Sequence, residues 1–469
     1  MKMLFLMKFK RRKRIMKKKI KLLSIILAAA LFMCFAVPAL AAGGDPVSYV
    51  ITNPYEEVDF SAWNAYKTQL HVHTDASDGD VPIKTVVEEH YRLNFDILAV
   101  TDHATLNRGW NVLTPTVPAF RLVKYERTKM APIIPMTDER YNEVTNGIGR
   151  GGRPMLDVPL GNELNGAVFS NSHVNGFFVE YGFGLFGVDK DYETPIKAVH
   201  DLGGYSMINH PGDTTGSYRD PSVNNKPATV NKYANLFLKY YPSCFALDIN
   251  SISDGTRTDE VLYDNVLEKL IPYGITPWLV CFSDAHQMGQ WNRGYTVHMM
   301  NESIEAANKD NAIEGLKRSM KDGTYFGIYT ISPPGIYLPE DAVPPMVGDI
   351  IVDGNTITIV PVDPAAVEEV VWVTNGTKNI NEGEYTIDVA DFADDIKSYV
   401  RAYLRGPGGI CYVQPFTVIP EGKQLAKEKI PEVFDISVIL RKFVTILDQY
   451  LFQGNIFVKL FKQYALGIE

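Results

Sequence analysis

His71-Val-His-Thr-Asp-Ala-Ser-Asp-Gly79 is the stretch on which the fold turns. It extends the apolar-alternating run Thr68-Gln-Leu-His-Val-His73, which reads as a short strand. Histidines at i and i+2 of a strand share a face, and at the carboxyl end of a barrel strand that face looks into a site. His71 and His73 can therefore present two imidazoles to one metal. Asp78 follows on the turn, where Gly79 lets the chain bend. Further on, Asp96-Ile-Leu-Ala-Val-Thr-Asp-His103 is a buried-strand pattern that ends in another histidine. A lone histidine is usually a packing residue. H-x-H at one strand end and T-D-H at the next together point to metal ligation.

Outward from this pair the chain alternates strands and helices. Lys84 to Leu93 has the helical spacing, with His90 on its apolar face as a packing residue. Regular alternation then stops from Ala104 to Met155, an insertion long enough to be a lid or substrate wall. It holds a short helix to be capped by Thr137, and the glycine-rich run Gly147-Ile-Gly-Arg-Gly-Gly-Arg153. That run is not a P-loop. Its Arg150 and Arg153 either face solvent or hold a substrate anion. Met155 to Glu163 resumes a strand that ends in a carboxylate, able to bridge two metals as an imidazole cannot. His173 opens the next strand. Glu193 to Leu202 is helical, with His200 structural, and Tyr205 to His210 is a buried strand ending in His-Pro-Gly. A helix from Val230 to Tyr240, a strand Cys244 to Asn250 with Asp248 at its end, and a helix Thr258 to Leu270 follow. The strand from Thr276 closes in Asp284-Ala-His286. Beyond it lie Arg293, a strand Tyr295 to Met300 in which His298 packs, and a helix Ser303 to Asp322. Apolar strands with polar carboxyl ends predict a parallel α/β barrel. All the ligand candidates then fall on one rim: His71, His73, Asp78, His103, Glu163, His173, His210, Asp284 and His286.

From about Tyr329 the texture changes to alternating strands, with Asn375-Gly376 as a hairpin turn signal. The spacing predicts a small immunoglobulin-like β-sandwich over 329–419. An amphipathic helical tail over 420–469 then docks on the sandwich, the barrel or a partner. At the other end, a basic run from Lys8 to Lys21 precedes an apolar stretch and Pro38-Ala-Leu-Ala41, the pattern of a secretory signal peptide over 1–41. A retained membrane anchor is the alternative. A linker and lead-in strand over 42–64 lead to a catalytic domain over 65–328.

Charge and cysteine content narrow the class. The first 41 residues hold 11 of the 46 Lys and Arg and no acids, so cleavage leaves 35 basic against 55 acidic residues, a net charge near −20. Such a surface repels duplex nucleic acid, and a small anionic substrate needs a local cationic centre, which a metal cluster supplies. Cys244, Cys281 and Cys411 do not make a disulfide framework and read as small buried residues. The expected setting is a secreted or cell-surface protein of bacterial type, with the C-terminal domain open to the cell envelope. Nothing in the sequence sets an oligomeric state.

The ordered set H-x-H, S-D-G, T-D-H, Glu, His, His-Pro and D-x-H, over roughly Gln69 to Gly327, resembles the Polymerase and Histidinol Phosphatase (PHP) superfamily. The resemblance implies a distorted (β/α)7 barrel of TIM-like kind and two or three divalent metal ions. It implies one ion on His71, His73, Glu163 and Asp284, and a second on Asp78, His103, Glu163 and His173, with Glu163 shared. It implies a third site at His210 and His286. A mixed His and carboxylate set suits Mn, Zn or Fe. Paired ions would acidify a water and steady an in-line displacement. Glu163, Asp284 and His286 are then the catalytic candidates, and Arg150, Arg153 and Arg293 the candidates for holding the anion's periphery. The leading expectation is an exported phosphoesterase acting on a small phosphomonoester or diester. A carbamate, ester or amide hydrolase with the same cluster, and a cell-surface binding protein, are the alternatives.

Overall fold

Thr68 and Gln69, the last residues of the strand Asn64–Gln69, are completely buried because this strand lies mid-sheet. On one side it pairs in parallel with Ile97–Leu98, and that strand in parallel with Leu156–Asp157. On the other it meets Gly294–Met300 in antiparallel register. The computed structural model describes residues 47–103, 105–114, 132–165, 172–181, 191–250, 257–332, 336–339 and 341–433.

A second sheet takes Asn162–Asn165, His173–Phe177, Tyr205–Ile208, Cys244–Asp248 and Trp278–Val280 in that order. Every residue of Cys244–Asp248 and of Trp278–Val280 is buried, as expected for strands covered on both faces. Two single parallel bridges stitch the sheets together, Val72 to Ala285 and His103 to Glu163. Both lie just past the carboxyl ends of first-sheet strands, so the edges meet where the histidines are.

Besides Gly294–Met300, a second strand corrects the all-parallel expectation. His173–Phe177 runs antiparallel to both neighbours. The short link after Asn165 cannot hold the crossover a parallel pair requires. Its reversal brings His173, the first residue of its strand, to the end where the other strands finish. The stretch Met155 to Glu163 is also two strands, broken at Leu160 with φ 64°. At the next residue a side chain would strike the Val100 carbonyl, 2.6 Å from the Cβ position, which explains Gly161.

Helices Ile83–Arg92, Glu193–Asp201, Pro227–Tyr240 and Thr258–Leu270 lie within two residues of their expected bounds, apart from the earlier start at Pro227. The last begins at Lys309, not Ser303, after a single 3-10 turn at Ala306–Asn308. Thr137 caps Asp138–Thr145 by accepting from Arg140 N at 3.3 Å. His90 and His298 are buried packing residues, and His200 is exposed on its helix. The three described cysteines are free and buried.

The C-terminal strands are continuous with this framework. Tyr325–Tyr329 pairs with Gly294–Met300 on one side and with Gly409–Tyr412 on the other. Through Tyr399–Gly406 the sheet reaches Glu369–Thr374 and the hairpin partner Lys378–Glu382. The hairpin turns at Asn375 and Gly376, with φ 44° and 71°. Val347–Asp353, Thr356–Pro361 and Thr386–Asp388 form a separate three-stranded sheet. The lead-in strand Tyr49–Thr52 pairs with Phe416–Pro420, so it belongs with the C-terminal strands. Among the described residues no sheet boundary falls at 329, and those from Val47 onward form one compact unit. The expected leader, residues 115–131 of the insertion and residues 434–469 of the tail lie outside the described residues. Described tail residues 421–433 are irregular and meet the protein through Tyr273, whose hydroxyl donates to Glu428 O at 2.6 Å. No described helix is long and apolar enough to cross a membrane.

Candidate metal centre

Glu163 is completely buried at the joint between the two sheets, and histidines from four strand ends face it. Its Oε1 lies 3.2 Å from His71 Nε2, 3.2 Å from His173 Nδ1 and 3.4 Å from His210 Nε2. Its Oε2 lies 3.2 Å from His73 Nε2 and 3.0 Å from His103 Nδ1. Asp284 is the second hub, with Oδ1 3.1 Å from both His71 Nε2 and His73 Nε2. Asp78 stands on the opposite flank, 3.3 Å from His73 Nδ1, His103 Nε2 and His286 Nε2. The donors fall into three overlapping nests whose candidate atoms lie within 4.8 Å of one another: His71, His73, Glu163, Asp284; His103, Glu163, His173; and His73, Asp78, His103, His286.

The chemistry of these donors fits divalent cations. His71 Nε2, His73 Nε2, Glu163 Oε2 and Asp284 Oδ1 are buried within 3.3 Å of one another's partners, yet none makes an aligned hydrogen bond. Lone pairs that approach without facing each other converge on a shared point. Two ligands on one ion at about 2.1 Å stand roughly 3.0–3.4 Å apart, which matches this spacing. Electrostatics make the same demand. Burial favours neutral Glu163, but His103, His173 and His71 outweigh it and hold the carboxyl well below the usual range. Burial likewise opposes a charged His71, but Asp284 and Glu163 raise it to about 9. His173 goes the other way, to about 4, because burial exceeds the pull of Glu163. Positive charge is required between rings and carboxylates, and metal ions can take the place of those protons.

Local backbone aims these groups. His210 and Asp284 have φ of 23° and 47°, a sparsely populated region for residues with side chains. The loop carrying Asp78 is tied to the next strand by Asp102, which accepts from Thr74 N at 2.8 Å, Thr74 Oγ1 at 2.6 Å and Ser77 Oγ at 2.6 Å. His286 Nδ1 lies 2.8 Å from the Asp284 carbonyl and must donate to it, which leaves Nε2 turned toward Asp78. Access is from that side, since His286 is 33% and Asp78 25% exposed, while the rings of His71 and His73 are sealed.

All nine candidate residues meet here, with two changes of partners: Asp78, expected with Glu163 and His173, groups with His73, His103 and His286, and the pair His210 and His286 separates. The resemblance implied a third site at His210 and His286 together. The structure instead sets His286 with His73, Asp78 and His103, while His210 faces Glu163 and lies 3.3 Å from His173. Arg150 and Arg153 are not in this cluster. Both are bound to Asp96, at 3.2 Å and 2.6 Å, at the amino end of Ile97–Leu98. His103 lies beyond the other end of that strand, so the anion role expected of these two arginines is withdrawn. Arg293 lies in the turn after His286, beside Gly294, whose carbonyl accepts from Gln69 Nε2 at 3.0 Å on the cluster's end of the fold.

Three buried polar residues near the cluster escaped the sequence reading of roles. Asp102 was visible only as the middle of T-D-H. Asn209 donates to Glu163 Oε1 at 2.8 Å and precedes His210 without any spacing signal. Asp248, seen at its strand end, has a carboxyl pushed up to about 7 by burial, with His71 and His210 pulling it back down.

Against known proteins, residues 69–144 match the model of the PHP domain family. No curated protein matches the chain. Among solved structures it is similar to a two-domain protein containing a predicted PHP-like metal-dependent phosphoesterase from Bacteroides vulgatus. That pair shares 13% identity over 82% of this chain and 92% of the other, with a TM-score of 0.36. A protein named as a metal-dependent phosphoesterase from Bifidobacterium adolescentis is 14% identical over 55% and 97%, with a TM-score of 0.30. An amidohydrolase from Chromobacterium violaceum, with bound sulfate and no metal, is 13% identical over 48% and 88%, with a TM-score of 0.27. Superpositions this loose carry no argument about chemistry.

Proposed function

We propose that this chain is a metal-dependent hydrolase, a phosphoesterase acting on a small phosphomonoester or phosphodiester at a trinuclear site. The observation that carries the reading is the set of buried His and carboxylate donors that crowd together without hydrogen-bond alignment. The PHP match over 69–144 supports it. In this reading His71, His73, Glu163 and Asp284 hold one ion. His103, Glu163 and His173, with His210 beside them, would hold a second, and Asp78 with His286 a third. Bound ions of Mn, Zn or Fe would supply an acidified water as nucleophile and Lewis-acid stabilisation of phosphoryl charge.

The remaining work falls to the chain's own groups. Glu163 divides its two oxygens between the two sets of rings and so fixes their separation. Asp284 orients His71 and His73 together. His286, the most exposed ring of the set, is the group to meet the substrate, with its Nδ1 held by the Asp284 carbonyl and its Nε2 on the Asp78 side. Arg293 would hold the periphery of the anion. The two sheets, joined at Val72 to Ala285 and His103 to Glu163, support reading the fold as a distorted seven-stranded barrel. The C-terminal strands are read as an immunoglobulin-like sandwich followed by a helical tail. The basic and apolar run ending at Ala41 supports export, with the C-terminal strands available to the cell envelope.

Elemental analysis of the purified protein, then a panel of phosphomonoesters, phosphodiesters, esters and carbamates on the same sample, tests this. The expected result is two or more transition-metal ions per chain and phosphate release that a chelator stops. Turnover confined to esters or carbamates, or a metal-free chain, would overturn it.

A further inference from the structure

We propose that Asn209 is a positioning residue for the metal centre, whose amide fixes the rotation of the Glu163 carboxylate. The inference rests on the metal reading above. Asn209 is completely buried, and its Nδ2 lies 2.8 Å from Glu163 Oε1 and 2.8 Å from Asn175 Oδ1. Asn175, also completely buried, donates from its own Nδ2 to the Leu70 carbonyl at 2.9 Å. A carbonyl can only accept, so the Asn175 amide has one possible orientation and turns its oxygen to Asn209. Asn209 then meets an acceptor on either side, a carboxylate and an amide oxygen. Turned over, its oxygen would face both, so it must present its NH2.

The hydrogen bonds diverge from Asn209, which donates to Glu163 on one side and to Asn175 on the other, and Asn175 donates in turn to the residue before His71. The network ties together four strands, Asn64–Gln69, Asn162–Asn165, His173–Phe177 and Tyr205–Ile208, and it reaches the carboxylate that two of the three nests share. The last torsion of a glutamate is soft and nearly two-fold. Without an anchor the plane of Glu163 can turn. With Oε1 held by Asn209, Oε1 stays toward His71, His173 and His210, and Oε2 toward His73 and His103. A carboxylate that serves two ions needs that division. Groups that orient a ligand in this way typically change metal affinity by about 10–100-fold when removed.

The experiment is manganese titration of the full chain, wild type against Asn209→Leu, followed by electron paramagnetic resonance. Free Mn(II) reports affinity, and an exchange-coupled signal reports two ions joined by one carboxylate. The wild type is expected to bind at least two ions and give the coupled signal. Asn209→Leu is expected to weaken the second ion by about 10–100-fold and lose that signal at the same loading. Its metal-free near-UV circular dichroism is expected to stay that of the wild type. Unchanged affinity and coupling in a folded variant overturn the proposal but leave the metal reading standing. A wild type that binds no manganese overturns the metal reading itself. Asn209→Ala repeats the measurement if the leucine does not fold. Failure of both to fold would assign Asn209 to the core alone and end the proposal.

Discussion

His73 is shared by two nests, with one ring nitrogen toward Glu163 and Asp284 and the other toward Asp78. His73→Ala should therefore lower metal content and reduce turnover by at least about 100-fold, more than the loss of an orienting group costs. Elemental analysis beside steady-state rates checks this. His90 makes the contrasting case. Its Nδ1 donates to Val86 O at 2.7 Å, its ring packs on Phe95 and Trp291, and burial pushes its pKa down to about 3. The unfolded chain takes up this proton near pH 6.5, while the folded chain does so only near 3. Acidification between those values therefore favours the unfolded state, by at most about 1.4 kcal/mol per pH unit. In urea unfolding of metal-free protein, His90→Phe should show a shallower fall in stability across that window. Parallel curves would mean that His90 is not held neutral.

The loop from Thr74 to Gly79 carries Asp78 to the cluster and has little regular structure to hold it. Asp102 supplies the hold through three accepted hydrogen bonds. Asp102→Ala takes the acceptor from Thr74 N and Thr74 Oγ1 and leaves Ser77 Oγ only Asp78, and should cost about 3 kcal/mol, together with loss of metal at the Asp78 nest. Unfolding curves and metal content measure the two effects. Gly79 is constrained differently. A Cβ there would lie 2.6 Å from the His73 carbonyl carbon and oxygen, so Gly79→Ala must push the loop off the strand end. That variant should lose activity at least about tenfold together with some stability, since the displaced loop is largely buried and carries Asp78 to the cluster.

A buried charge network joins the C-terminal strands to the site framework. Arg401 is fully buried and lies 2.8 Å from Asp264 Oδ2 and 3.2 Å from Glu260 Oε2. Tyr412 donates to Glu260 at 2.7 Å and accepts from Asn250, two residues past Asp248, also at 2.7 Å. Gln414 completes the pattern by bonding both backbone groups of Leu279, on the strand that leads to Asp284. Replacing Arg401 with Met leaves Asp264 buried without its cation, while Glu260 keeps Arg257, so unfolding should become easier by about 3–5 kcal/mol. Ending the chain at 328 removes Gly409–Tyr412 from Tyr325–Tyr329 and exposes a hydrogen-bonding edge. Residues 47–328 alone should aggregate, and limited proteolysis of the whole chain should give no stable product ending near 329. A soluble, metal-binding 47–328 fragment would show the C-terminal strands to be dispensable.

What the sequence by itself determined was local. Imidazole spacing on His71 and His73, apolar runs with polar ends, helix bounds such as Thr258–Leu270 and the Asn375-Gly376 turn all follow from the side chains of one segment. Their periodicity is a property of a few neighbouring residues. The tertiary structure alone decided matters that depend on pairs distant in the chain. It turned His173–Phe177 antiparallel, set His286 with Asp78 and not with His210, and gave Arg150 and Arg153 to Asp96. It also ran the C-terminal strands into the same sheet as Asn64–Gln69. Such choices are made by which buried donor meets which acceptor once the backbone is placed, and no spacing along the chain encodes that meeting.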